Sequence, residues 1–107
     1  MKLKIEFSKN TEPVPFTYVS NLNGYLHKVL GSNNEYHDEI SLYSTSFLHG
    51  GKISRDQKSL DFRNGATWYI SSPKSQFIAN FINNVYQHTG FAFGMELLSV
   101  EMVEDEL

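Results

Sequence analysis

The sequence predicts an α+β domain in which one antiparallel sheet carries two helices on a single face. Three observations predict it. The opening residues M-K-L-K-I-E-F alternate charged and apolar side chains, the period of a strand with one buried face. Two later stretches, centred on Leu26 and Phe81, place their apolar residues at helical spacing. The segments between and after them return to β-like composition, so the order reads β, α, β (with extra hairpin strands), α, β.

In the first strand Leu3, Ile5 and Phe7 form the buried set against Lys2, Lys4 and Glu6. The polar run Ser8 to Pro15, with Pro13 and Pro15, cannot continue a hydrogen-bonded ladder and reads as a loop. Leu22, Leu26, Val29 and Leu30 then fall on one side of a helix, with Tyr25 at the margin. Ser20 or Asn21 can cap its start, and Gly31 can stop it. Gly24 inside the helix costs roughly 1 kcal/mol relative to Ala, and leaves room for close packing or for the approach of another chain.

Beyond the short acidic-aromatic segment Asn34 to Ile40, residues Ser41 to Leu48 read as a strand. His49-Gly50-Gly51 breaks it and Lys52-Ile53-Ser54 can resume it. Leu60-Asp61-Phe62 alternates, Asn64-Gly65 is a two-residue hairpin signal, and Ala66 to Ser71 is the return strand. Ser72-Pro73 fits a cap followed by proline at the first helical position. Phe77, Ile78, Phe81, Ile82 and Val85 make the stripe of the second helix, with Gly90 as its stop. The last strand is expected from Phe91 onward. Phe91, Phe93, Met95 and Leu97 keep one phase while Leu98, Val100 and Met102 keep the other, so a β-bulge near Leu97–Leu98, or burial of both faces, is required. The ferredoxin-like (RRM-like) βαββαβ arrangement, with an extra β-hairpin, accounts for this order most simply.

The chain has 107 residues, enough for one core, and shows no repeat or linker, so residues 1–107 are expected to form a single domain. With no cysteine, disulfides and thiolate metal sites are excluded. No secretory h-region and no membrane-length apolar run is present, so the expected location is cytoplasmic. A formal net charge of −3 argues against strong phosphate binding by the surface as a whole. The charge is uneven, however. Glu96, Glu101, Glu104, Asp105 and Glu106 crowd the end of the chain, whereas Lys52, Arg55, Lys58 and Arg63 stand against only Asp56 and Asp61.

The four histidines lack metal-ligand spacing such as H-x-x-x-H, so no metal site is expected. His49 reads as turn chemistry, and His88 as a favourable charge near a helix C-terminus. Trp68 and Tyr69 alternate on one strand: one must face the helices and the other can face open sheet, with core packing the expected use. The basic-glycine-aromatic RNP pattern is missing from A-T-W-Y-I-S. No nucleophile elbow, phosphate-binding glycine loop or dinucleotide fingerprint is present, and no cofactor is expected.

Several stretches together resemble a known family. They are L-K-I-E-F-S, the helix L-N-G-Y-L-H-K-V-L, the turn G-S-N-N-E-Y-H-D, and the block S-L-Y-S-T-S-F-L-H-G-G-K-I. The run W-Y-I-S-S-P and the closing V-E-M-V-E complete the pattern. It is similar to the N-terminal domain of the CRISPR-associated repeat-RNA (pre-crRNA) processing endoribonucleases of the RAMP superfamily. That resemblance implies a domain that binds CRISPR repeat RNA and belongs to a metal-independent endoribonuclease. In such enzymes the ribose 2′-hydroxyl attacks the adjacent phosphate and leaves a 2′,3′-cyclic phosphate. It further implies that His27, on the first helix, and His37, just after it, are the catalytic positions. Lys28 and Lys52 are the cations that could contact the RNA or the transition state, Lys52 being preferred because it follows a Gly-Gly turn. The family's C-terminal domain, with its glycine-rich loop, has no counterpart here. The expected partners are therefore repeat RNA and such a second domain or CRISPR effector subunits, with a homodimer as a further arrangement and no membrane. The alternatives are a non-catalytic RNA-binding or assembly module of the same fold, and a small domain that dimerises through its sheet without RNA.

Overall fold

A computed structural model describes residues 1–31 and 44–103 of the chain. Its elements are β1 (Lys2–Phe7), α1 (Val19–Leu30), β2 (Ser44–Thr45), β3 (Lys52–Ile53), β4 (Leu60–Asp61), β5 (Ala66–Ser71), α2 (Ser75–Val85) and β6 (Leu97–Val103). Four strands make one antiparallel sheet in the order β2-β5-β1-β6, and β3 and β4 form a separate two-stranded sheet. With the β3–β4 hairpin set aside, this is the βαββαβ order of a ferredoxin-like domain.

The alternation in β1 and β5 builds the core directly. Leu3, Ile5 and Phe7 are buried, and their register partners Ile70, Trp68 and Ala66 are buried beside them. Trp68 identifies the covered face: its ring lies 6.2 Å from Tyr25 of α1 and 6.4 Å from Phe81 of α2. Both helices therefore sit on one side of the sheet, packed against each other. α1 contributes Leu22, Tyr25, Leu26, Val29 and Leu30 to the core, and α2 contributes Phe77, Ile78, Phe81 and Val85. Each of these large side chains contributes roughly 1.5–3 kcal/mol through removal of apolar surface from water. Tyr25, expected at the margin of its stripe, is fully within the core.

Local signals were displaced where tertiary contacts supplied what the sequence pattern lacked. No side chain caps α1; it starts at Val19 because Tyr18 already adopts helical backbone angles, with its N–H bonded to the Pro15 carbonyl at 3.2 Å. The Tyr18 hydroxyl instead accepts the Leu48 N–H at 2.9 Å, which anchors that end of the helix. Gly31, with φ of 92°, does end α1. α2 starts at Ser75, two residues beyond the Ser72-Pro73 signal, and Ser72 Oγ accepts the Lys74 N–H at 3.1 Å in a turn ahead of the helix. It ends at Val85 rather than at Gly90.

Asn64-Gly65 does turn the chain, but not within a hairpin. β4 pairs with β3, whereas β5 pairs with β1 and β2, so this turn carries the chain from the small sheet into the large one. Of the expected strand over residues 41–48, the described part that pairs is Ser44–Thr45. The last strand begins at Leu97, not Phe91. Phe91 and Phe93 alternate because they line a packed loop: the Phe91 N–H bonds to the Met95 carbonyl at 3.0 Å, and Phe93 and Gly94 both have positive φ. The expected bulge is present. Glu6 pairs with Ser99 and Phe7 with Leu97, which leaves Leu98 as the extra residue.

Candidate functional site

α1 carries His27 and Lys28 in its last turn. The buried stripe runs through Leu26, Val29 and Leu30, so His27 lies one step off it, half-buried with its Nδ1 covered, while Lys28 is exposed. The Gly31 N–H closes the helix on the His27 carbonyl at 3.0 Å. The Lys28 charge complements the negative end of the helix dipole. His37 lies outside the described residues, in the stretch 32–43 that follows Gly31.

Lys52 is exposed on β3, in register with Asp61 of β4. That hairpin packs toward the start of α1: Leu60 bridges to Val14, and the Phe62 ring stands 6.4 Å from Tyr18. His27 is nine residues past Tyr18, about 13 Å further along the helix at 1.5 Å per residue. Lys28 thus shares a helical turn with His27, whereas the Lys52 hairpin is associated with the opposite end. Among the described residues no group of three or more His, Asp or Glu side chains converges on a point that could hold a metal ion. None of their helices is long and apolar enough to cross a membrane.

The face of the large sheet away from α1 and α2 holds a further cluster. Alternation on β5 sends Trp68 into the core and turns Tyr69 outward, half-buried among polar neighbours. The ammonium of Lys2 stands 4.7 Å from the Tyr69 ring centroid, and the His49 ring meets Tyr69 edge-on at 5.6 Å. A hollow of about 510 Å³ opens there, lined by these three and by serines that include Ser44, Ser46 and Ser71. The period-two pattern contained this signal, because one member of the Trp68-Tyr69 pair had to face away from the helices.

Two solved structures superpose on the whole of this chain. A Cas6-related protein from Pyrococcus furiosus matches with a TM-score of 0.84 at 14% identity, over 100% of this chain and 49% of its own. A RAMP protein described as binding different RNA substrates matches with a TM-score of 0.82 at 18% identity, over 100% of this chain and 50% of its own. What they share with this chain is the fold. The ferredoxin-like domain described above spans about half the length of each neighbour. No family model matches the sequence, and no curated protein matches it.

Proposed function

We propose that the chain is a CRISPR-related RNA-binding and RNA-processing domain, the N-terminal half of a metal-independent endoribonuclease that cuts repeat RNA. One observation carries the reading: the whole chain takes the fold of a Cas6-related protein and of a RAMP protein that binds RNA, with a half-buried histidine at the end of the first helix.

Cleavage on this reading needs two proton transfers. A base removes the proton from the 2′-hydroxyl as its oxygen attacks the adjacent phosphorus. The new P–O2′ bond forms while the P–O5′ bond breaks, and an acid delivers a proton to the departing 5′-oxygen. The products are a 2′,3′-cyclic phosphate and a free 5′-hydroxyl. Histidine suits either transfer near neutral pH. His27 and His37 take these roles, and Lys28 or Lys52 offsets the charge that builds on the phosphorane oxygens. The RNA-gripping remainder is a second domain or a partner subunit, with a homodimer as the other arrangement.

The test is incubation of the protein with its repeat RNA in EDTA, alone and joined to a second domain. A product ending in a 2′,3′-cyclic phosphate, lost on His27→Ala or His37→Ala, is the expected result. If no arrangement yields that product, the nuclease reading fails. A second reading, a non-catalytic RNA-binding or assembly module, is favoured by the formal net charge of −3, which argues against strong phosphate binding. It predicts RNA binding that both substitutions leave intact, with no cleavage to lose.

A further inference from the structure

We propose that the face of the four-stranded sheet away from the two helices seats one nucleotide of a single-stranded RNA, its base stacked on Tyr69 and its phosphate met by Lys2 and His49. The proposal rests on the reading of the chain as RNA-binding, and adds a contact surface on the side of the sheet opposite α1.

The arrangement is built from backbone pairing rather than from mobile loops. Tyr69 lies on β5, between β1 and β2, and its N–H bonds to Ser46 Oγ at 3.0 Å while its carbonyl accepts the Ser46 N–H at 3.0 Å. His49 exchanges backbone hydrogen bonds of 2.9 and 3.1 Å with Thr67, two residues before Tyr69 on the same strand. Strand pairing thus places the two residues side by side, and their rings meet at an interplanar angle of 72°. A flat ring with an ammonium over it and an imidazole at its edge is a combination that suits single strands: the π-face accepts any base and the basic side chains take the backbone.

Charge on this face is sorted to match. No carboxylate is among the described residues that line the hollow. Glu6, on the same face of β1, is engaged by Lys4 at 3.5 Å and by the Thr67 hydroxyl at 3.1 Å, and Glu101 is the register partner of Lys4. Among the described residues, the Lys2 ammonium meets the Tyr69 ring and no carboxylate. An arriving base displaces that ammonium from the ring, and the freed Lys2 then meets the phosphate. Cation and aromatic are thus paired in the free protein and reassigned in the complex.

The experiment uses the 107-residue chain and a fluorescently labelled uridine oligoribonucleotide, with affinity measured by anisotropy at about 50 mM and about 200 mM salt. Tyr69→Phe is expected to bind within about twofold of the parent, and Tyr69→Ala to bind about tenfold more weakly. Lys2→Gln is expected to lower the salt slope by about 0.7, the loss of one phosphate contact on a single strand. In the unaltered protein, saturation with RNA is expected to move the Tyr69 ring protons upfield in NMR spectra; this holds whether or not Tyr69→Ala folds. Equal affinities for the Ala and Phe variants, Tyr69 protons unmoved at saturation, no RNA binding by the parent, or a stable dimer that covers Tyr69 and excludes RNA would each overturn the proposal. The two readings separate cleanly. Histidine-dependent cleavage with binding indifferent to Tyr69 removes only the sheet-face site, whereas Tyr69-dependent binding without cleavage removes only the nuclease.

Discussion

Tyr25 donates its hydroxyl proton to the backbone carbonyl of His88 across 2.6 Å, which ties α1 to the turn that follows α2. The ring is set in the core by Phe7 at 5.8 Å, Phe91 at 5.5 Å and Trp68 at 6.2 Å. Tyr25→Phe keeps the ring and removes the bond. The expected loss is about 1 kcal/mol, seen as a fall of roughly 4–8 °C in the midpoint of thermal unfolding. An unchanged midpoint would mean that the hydroxyl contributes nothing to holding the helices together.

The same hydroxyl sets an alkaline limit on stability. Burial pushes the Tyr25 pKa from its ordinary value of 10.0 up to about 12. Above pH 10 the unfolded chain loses this proton while the folded chain keeps it, so the unfolded state is favoured progressively as pH rises through that window. Tyr25 therefore supports the fold fully below about pH 10, and its contribution is lost between about 10 and 12. Urea unfolding at both ends of the window should show stability falling with pH, with a shallower fall in Tyr25→Phe.

Two glycines should answer alanine in opposite ways. Gly94 has φ of 77°, and a Cβ there would clash with Thr11 Oγ1 and stand 3.1 Å from the Thr11 amide nitrogen. The same loop is fixed by the Thr11 and Glu12 N–H groups bonding to the Phe93 carbonyl at 2.9 and 3.2 Å. Gly94→Ala is expected to cost more than about 2 kcal/mol, since it adds left-handed strain to a steric clash. Gly24, in the middle of α1, has no atom beyond its own helix backbone and chain neighbours within 4 Å of where a Cβ would sit. Gly24→Ala should stabilise by up to about 1 kcal/mol. Denaturant titration of both variants checks the pair.

Replacing His27 by Ala should slow cleavage of repeat RNA by a factor of about 10²–10⁴ if the imidazole transfers a proton, with RNA affinity unchanged. Single-turnover kinetics separates the two quantities. A parallel loss of affinity would assign His27 to binding instead.

Most of the architecture was legible in the residues. Leu3, Ile5 and Phe7 are buried at the period their alternation implies, and Phe77, Ile78, Phe81 and Val85 at the helical one, because burial acts on the same face that the pattern marks. The phase break at Leu97 and Leu98 was equally readable as a bulge, since a strand that changes phase must insert a residue. Asn64-Gly65 signals a hairpin, and the structure has the turn without the hairpin: a turn signal reports that the chain reverses, not which strand each arm will join. The run from Phe91 alternates for reasons of loop packing, and alternation alone does not distinguish a strand from a packed loop.

The candidate site was less legible. His27 is placed by helical periodicity, half-buried and next to an exposed Lys28, while His37 falls outside the described residues. The Tyr69 cluster joins Lys2, His49 and Tyr69, residues 20 to 67 apart in the chain, and strand pairing alone brings them together. The sequence by itself determined the two helical stripes, the outer alternation of β1 and β5, and the order of elements, because these depend on local period and composition. Only the tertiary structure decided which strands became neighbours, where α2 and β6 begin, and that Tyr69 rather than Trp68 faces outward. Those outcomes depend on long-range pairing and on which face the helices cover, and no local pattern carries that information.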